Sequence, residues 1–419
     1  MIEQSEPLIT NEAVVLGILL VILAFIFTTS SSKGPGWTKF YKVVPSILLC
    51  YFIPSLLNTF NIISGEYSQL YTVASRFFLP ASLILLTLSI DFQALRKLGS
   101  KAVIMFLAGT VGIMFGGPLA LLAVGSMFPE VLNTGGEPVW RGLATISGSW
   151  IGGGANQAAM LEVFGASKEL FGQMIAVDVL VANVWMGFLL YWSQKPHVMD
   201  KLMKADSTPI KLLEEKMESL QESKRMVPTA THTMLVLGVA FGFTGLAHFF
   251  ADFLAPFFLE NFPSLERYSL TSAFFWLVII ATTAGLALSF TRARELESYG
   301  ASRFGTVFLY FLVATIGMSM DLNAVLDNPK LFLVGVFWIT FHIIIMLVIA
   351  RLIRAPFFYV AVGSQANIGG AASAPIVAVA FNKYLAPVGV LLAVLGYAVG
   401  TYGAYLCGLM LQYVFQLLS

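Results

Sequence analysis

Long apolar stretches separated by short polar punctuation dominate the chain. Crossing the hydrocarbon layer takes roughly 20 mostly apolar residues. By that measure twelve segments qualify, near 13–31, 42–60, 70–91, 102–127, 140–165, 169–193, 230–251, 269–290, 304–320, 331–353, 356–380 and 385–416. The pattern predicts an all-α polytopic membrane protein. It changes once, between the sixth and seventh segments, where Gln194 to Val227 holds thirteen of the 47 charged residues. That stretch divides the chain into a membrane half at 1–193, a linker at 194–227 and a second membrane half at 228–419. Within the linker, Val198, Leu202, Met203, Leu212, Leu213, Met217 and Leu220 are spaced for an amphipathic surface helix, with a solvated loop as the alternative.

The two halves echo each other. Ile151-Gly152-Gly153-Gly154-Ala155-Asn156-Gln157 is answered by Ile368-Gly369-Gly370-Ala371-Ala372-Ser373-Ala374, and Ser89-Ile90-Asp91-Phe92-Gln93-Ala94-Leu95 by Ser319-Met320-Asp321-Leu322-Asn323-Ala324-Val325. The pairs occur in the same order, and the loop Pro129–Val139, present only in the first half, absorbs the difference between their offsets. Glycine weakens a helix and bares backbone amides that hydrocarbon cannot satisfy. A Gly-rich break at membrane depth must therefore line a cavity or be buried in protein.

Composition supports the membrane assignment, with 58% hydrophobic and only 11% charged residues. A net charge of +1 with no basic stripe speaks against nucleic-acid binding. Cys50 and Cys407 lie in apolar runs and are expected to be core thiols. Glu3, Glu6 and Glu12 stand where a cleaved signal peptide would carry Lys or Arg, so the first segment is expected to remain in the mature protein.

Charge position then bears on topology through the positive-inside rule. If all twelve segments cross with the N-terminus outside, ten of the 24 basic residues are cytoplasmic, and the flipped arrangement gives fourteen. If the fifth and eleventh segments dip in and return, nineteen are cytoplasmic and five, Arg76, Arg141, Lys168, Arg267 and Lys330, are outside. The count favours re-entrant Gly-rich segments over broken spanning helices. Each half then crosses five times, the repeats are inverted and both termini lie outside. Inverted repeats with interrupted segments are the build of secondary transporters, whose site lies near the bilayer midplane.

The candidate chemistry gathers at the two Gly-rich tips. A helix amino-terminus offers free N–H groups to a carboxylate, and bared carbonyls suit a sodium ion. Ser147, Ser149, Asn156 and Gln157 flank the first tip, and Ser364, Gln365, Asn367 and Ser373 the second. The expected substrate-binding set is Gly152, Gly153, Gly154, Asn156, Gln157, Gly369, Gly370 and Ser373. Small residues packing helices closely is the competing reading. Asp178, an acid well inside an apolar run, could ligate sodium, carry a coupling proton or pair with a substrate ammonium, and is expected with Ser149, Gln365 and Asn367 to hold a coupling ion, a sodium ion being the only cofactor implied. An interfacial position beside Lys168 and Glu169 is its bland alternative. Asp91 and Asp321 end hydrophobic runs ahead of short amphipathic stretches, as helix N-caps do. Glu162 is placed at the outer mouth of the first tip, His342 reads as a core residue, and Tyr397, Thr401 and Tyr402 face either the cavity or their packing neighbours. No nucleophile elbow, phosphate loop or carboxylate pair stands out, so no enzyme is expected.

This pattern resembles the glutamate:sodium symporters and the citrate:sodium (2-hydroxycarboxylate) transporters. More closely, GSWIGGGANQAAM and GSQANIGGAASAPI are similar to an uncharacterised bacterial membrane family grouped with them and with cation:proton antiporters. The resemblance covers nearly the whole chain in architecture and some thirty residues in motif. It implies a bacterial inner-membrane protein in which both tips line one substrate and ion site. It also implies a scaffold part forming a homodimer surface and a hairpin-bearing part that moves. No Arg lies beside the tips, as one does in the citrate group, and Asp178 lacks the acidic partner of many proton antiporters. The expected function is sodium- or proton-coupled symport of a small carboxylate-bearing solute: an amino acid, organic acid or short peptide fragment. The alternatives are a monovalent cation:proton antiporter and a non-transporting scaffold or signalling protein.

Overall fold

The computed structural model describes residues 6–32, 34–41, 44–205, 228–320 and 328–419. Each of the twelve apolar segments is helical, and short polar side chains cap several of the helix starts. Asn11 Oδ1 accepts from the Ala13 and Val14 amides ahead of α1 (Glu12–Ser30), and Ser167 accepts from Leu170 N ahead of α9 (Lys168–Ser193). The intervening helices are α2 (Pro35–Tyr41), α3 (Ser46–Thr59), α4 (Leu70–Leu88), α5 (Phe92–Lys97), α6 (Ser100–Met127), α7 (Val139–Gly152) and α8 (Gly154–Phe164). After α10 (Pro196–Met203) come α11 (Ala230–Asn261), α12 (Ala273–Ser289), α13 (Ala301–Gly317), α14 (Leu331–Ile353), α15 (Phe357–Ile368), α16 (Gly370–Phe381) and α17 (Ala386–Leu418).

Seven described helices are long and apolar enough to cross a membrane, rising to nine if two bent pairs each count as one span. The twelve expected segments exceed that number for two reasons. Helices α3, α12 and α13 are shorter than the expectation, at 14, 17 and 17 residues, and both Gly-rich segments are split in two. At 1.5 Å per residue no arm of α7, α8, α15 or α16 exceeds about 21 Å, short of the roughly 30 Å hydrocarbon layer.

The split segments double back. At the first, Trp140 packs edge-on against Phe164 with centroids 5.5 Å apart, and Arg141 NH1 donates to Gly165 O at 3.2 Å. Gly148 lies so close to the Asn156 backbone that an added Cβ would sit 2.5 Å from Asn156 O. Residues eight apart in a continuous helix would be about 12 Å apart, so α7 and α8 run antiparallel about a tip at Gly153, whose φ of 76° favours glycine. The second repeats this: Phe358 packs on Phe381 at 5.3 Å and Gln365 bonds Ser373, with the tip at Gly369-Gly370. Gly-rich sequence thus yields two helical hairpins.

Packing sorts the helices into two groups drawn from both halves. Helices α3, α4, α12 and α13 pack together, with α1 and α11 flanking them; α6, α7, α14, α15, α16 and α17 form the second group, with α9 against it. Glycines permit the closest approaches, as where Gly116 and Gly117 of α6 meet Trp338 of α14. Both cysteines are buried and free.

Asp91 caps α5 by accepting from Ala94 N at 2.9 Å, and its other oxygen pairs with Arg294 NH1 at 2.5 Å. Its counterpart Asp321 lies outside the described residues. Burial alone would raise the Asp91 carboxyl, but the Ala94 amide and the Arg294 guanidinium outweigh it and hold the group below the usual carboxylate range. The stability this contributes is therefore present above the unfolded value of about 3.9 and lost as pH falls through the folded one. Asp91→Ala is expected to cost roughly 1 kcal/mol and to lower the melting temperature at pH 7, with the difference from the parent protein shrinking in acid. In the linker, α10 buries Met203 while Val198 and Leu202 stay exposed, and Asp200 accepts from Phe357 N at 2.7 Å. Leu212, Leu213, Met217 and Leu220 lie outside the described residues.

Candidate functional site

The two hairpin tips meet. A methyl group added at Gly370 would lie 3.9 Å from Gly153 Cα. Beside this meeting point is a cavity of about 310 Å³, lined by both tips, the middle of α9, Tyr51 of α3 and Tyr310 of α13. Asp178 stands in its wall. The residue is 7% exposed and lies about 15 Å along α9 from Lys168. Burial of this kind speaks against a solvent-exposed position beside Lys168 and Glu169. Trp150 Nε1 of α7 donates to its Oδ1 at 2.6 Å, Gln157 Nε2 of α8 donates to Oδ2 at 3.1 Å, and Ser149 is a further hydrogen-bonding neighbour. All three partners are neutral, and among the described residues no ion pair reaches this carboxylate.

The polar residues flagged around the tips divide evenly. Ser149, Gln157, Gln365 and Ser373 line the cavity together with Gly153, Gly154 and Gly369. Gln365 gives its Nε2 to Ser373 Oγ at 2.9 Å, and its Oε1 is buried without a partner. Asn183, also on the wall, donates to Val179 O.

Ser147, Asn156, Ser364 and Asn367 are used in packing instead. Asn156 Nδ2 donates to Gly152 O at 3.2 Å and to Tyr397 O at 3.0 Å, while its Oδ1 accepts from Thr401 at 2.5 Å. Asn367 does the same against α6: Nδ2 donates to Gly363 O and Phe106 O, both at 2.9 Å, and Oδ1 accepts from Thr110 at 2.8 Å. Each clasp uses both amide hydrogens and one lone pair of the oxygen, and both side chains are fully buried away from the cavity wall. Gly400 and Gly109 provide the space, since a Cβ at either would sit within 2.8 Å of the clasped Nδ2. Ser147 reaches Ala404 O. Ser364 Oγ takes the Trp185 indole N–H at 2.8 Å and contacts His342 Nε2 at 2.7 Å, while His342 Nδ1 contacts Gly109 O. A neutral imidazole donating from Nδ1 satisfies this chain, and His342 is a bonded core residue. Gly152 and Gly370 belong to the tips, Gly152 against α17.

Sequence reasoning missed Trp150, Tyr51 and the clasp receptors on α6, while on α17 it singled out Tyr397 and Thr401 with packing as one of their readings. A signal existed for the receptors, because Phe106-Leu107-Ala108-Gly109-Thr110 and Tyr397-Ala398-Val399-Gly400-Thr401 share an aromatic-x-x-Gly-Thr pattern. Thr401 thus holds Asn156, and Tyr402 bonds Thr283. Glu162, at the far end of α8, accepts from the Tyr71 hydroxyl and lies 3.8 Å from Arg76 NH2. Lys168 Nζ covers the Tyr71 ring at 3.8 Å. Arg76 belongs to a five-residue π-helical stretch, Ala74–Phe78, within α4. This cluster joins the hairpin-bearing group to the other one.

A relative in Bacillus subtilis (strain 168), the uncharacterized membrane protein YjcL, is 25% identical over 349 residues, covering 80% of this chain and 82% of the relative. Its membrane character agrees with the helices described above, and the chain is a multi-pass membrane protein. Residues 17–414 match the family model described as protein of unknown function (DUF819), and the chain belongs to that family.

Proposed function

We propose that this protein is a secondary active transporter that carries a small carboxylate-bearing solute, such as an amino acid, organic acid or short peptide fragment, by alternating access coupled to sodium or protons. The observation that carries the reading is Asp178, a buried carboxylate with only neutral partners, facing a cavity between two hairpin tips. An uncompensated charge at this depth is costly and marks an ion or solute pathway. In this reading the hairpins are re-entrant and the halves are inverted repeats, which is supported by corresponding helices packing on each other, α4 on α13 and α6 on α14. The clasped hairpin group moves against the other group, which also offers a homodimer surface, in a bacterial inner membrane with both termini outside. A bare-ion antiporter needs only a few oxygen ligands, and the cavity volume of about 310 Å³ favours a solute as cargo.

Purified protein in liposomes, given an inward sodium or proton gradient and radiolabelled amino and organic acids, is expected to accumulate a solute. Uptake that is indifferent to both gradients for every solute would sink the coupled-transport reading. The Glu162 cluster, on the side holding Arg76 and Lys168, acts as an outer closure. Glu162→Gln is expected to raise labelling of a cysteine introduced at Ser149 by an external membrane-impermeant thiol reagent several-fold. Unchanged labelling would leave the cluster a purely structural contact.

A further inference from the structure

Resting on the reading of this cavity as a substrate site, we propose that the substrate is recognised through a protonated amine, and that the cargo is a small zwitterionic amino compound rather than a simple organic anion. The charge of the wall comes first. Asp178 is its one carboxylate, its partners are neutral, and no Lys, Arg or His is among the described residues lining the cavity. A solute bearing only carboxylate would place a second negative charge beside the first in a poorly screened interior, where like charges repel strongly. A protonated amine reverses that sign.

The unused hydrogen-bonding groups agree. Gln365 is 2% exposed, its Nε2 gives one N–H to Ser373, and the atom it leaves without any partner is an acceptor, Oε1. Asp178 is also an acceptor. An ammonium group brings three donors and no acceptor, the complement of such a pair. The opposite end of a zwitterion is provided for as well. Tyr51 OH is buried on the same wall without a partner and can donate. The first turn of α16 brings Ala372 and Ser373 to the cavity, and the unbonded backbone N–H groups of a helix start favour a carboxylate. A sodium ion alone would satisfy Asp178 and Gln365 but would leave Tyr51 and most of the volume unused.

The test uses full-length detergent-purified protein and its thermal unfolding at matched ionic strength. The probes are the amino acids as zwitterions, the same compounds N-acetylated, propionate, ethylammonium chloride and sodium chloride. Ligands that bind only the folded state raise its melting temperature by mass action. The expected result is that at least one free amino acid stabilises the protein dose-dependently and its N-acetyl form does not. Gln365→Leu should require at least tenfold more of that amino acid for the same shift, and Asp178→Asn should abolish it, each variant being compared with its own ligand-free melting temperature. If N-acetylated compounds or propionate stabilise as well as free amino acids, or sodium alone does so, the amine inference is overturned and the transport reading stands. If no probe shifts the melting temperature and none accumulates in liposomes, both fall together.

Discussion

Asp178→Asn is expected to reduce solute uptake by roughly ten- to a hundredfold while leaving a folded protein. Two effects must be separated, because the aspartate both carries charge and accepts hydrogen bonds. Trp150 and Gln157 donate to its two different oxygens. An asparagine supplies one oxygen and one NH2, so one of those donors would face another donor. Trp150 has no acceptor to offer and keeps the oxygen. Gln157 can turn its amide over and accept from the new NH2. The polar network therefore closes again, and the structural cost stays within about 1–3 kcal/mol. The charge has no such replacement. A hydrogen bond to a buried charge is worth about 1.5–3 kcal/mol, and each 1.4 kcal/mol is tenfold in affinity. Uptake and thermal stability measured on one preparation distinguish the outcomes. A folded variant with unchanged uptake would remove Asp178 from the mechanism, and a variant that does not fold would show that the amide turn fails.

The second large effect is expected from Gly400→Ala, which should destabilise the protein more than Asn156→Ala. The added Cβ would lie 2.4 Å from Gly152 Cα and 2.7 Å from Asn156 Nδ2. Both neighbours are held, one as backbone and the other by the clasp, so the first hairpin tip must shift. Overpacking of this kind costs typically 1–3 kcal/mol or more, to which the strained or lost clasp adds. Asn156→Ala removes the clasp but leaves room, exposing Tyr397 O and the Thr401 hydroxyl without their partner at a cost of roughly 2 kcal/mol. Thermal unfolding of both variants orders the effects. A milder effect from Gly400→Ala would mean that the tip is not pressed against α17. Asn156→Ala should not alter which solute is bound, since Asn156 does not line the cavity.

How much of this was legible follows from what each residue advertises. The apolar runs gave the membrane class because hydropathy integrates over twenty residues and tolerates local ambiguity. Asp178 was legible because a single acid in such a run has few explanations. The side each polar tip residue faces was not. Asn156 and Gln157 are adjacent amides, yet one is spent on α17 and the other stands on the cavity wall with Asp178. One residue is about 100° of helix rotation, and no spacing says which neighbour will occupy that direction. Tyr51 and Trp150 were invisible for another reason: aromatic residues are ordinary in apolar helices, and only a partner or its lack distinguishes them. The pairing of the α6 and α17 motifs escaped because their separation does not match that of the repeated segments.

The clasps also bear on how the protein can be made. Asn156, in the first half, is fastened by Thr401, 245 residues later and near the end of the chain. Asn367, in the second half, is fastened by Thr110, in a helix synthesised long before it. The second hairpin can therefore lock as it emerges, whereas the first must wait for α17, its amide bonded until then only to Gly152 O. Biosynthesis thus leaves a window in which a chain still lacking α17 exposes an unfastened polar tip. Chains truncated before α17 are expected to be recognised and removed by membrane proteases, however well the preceding segments insert.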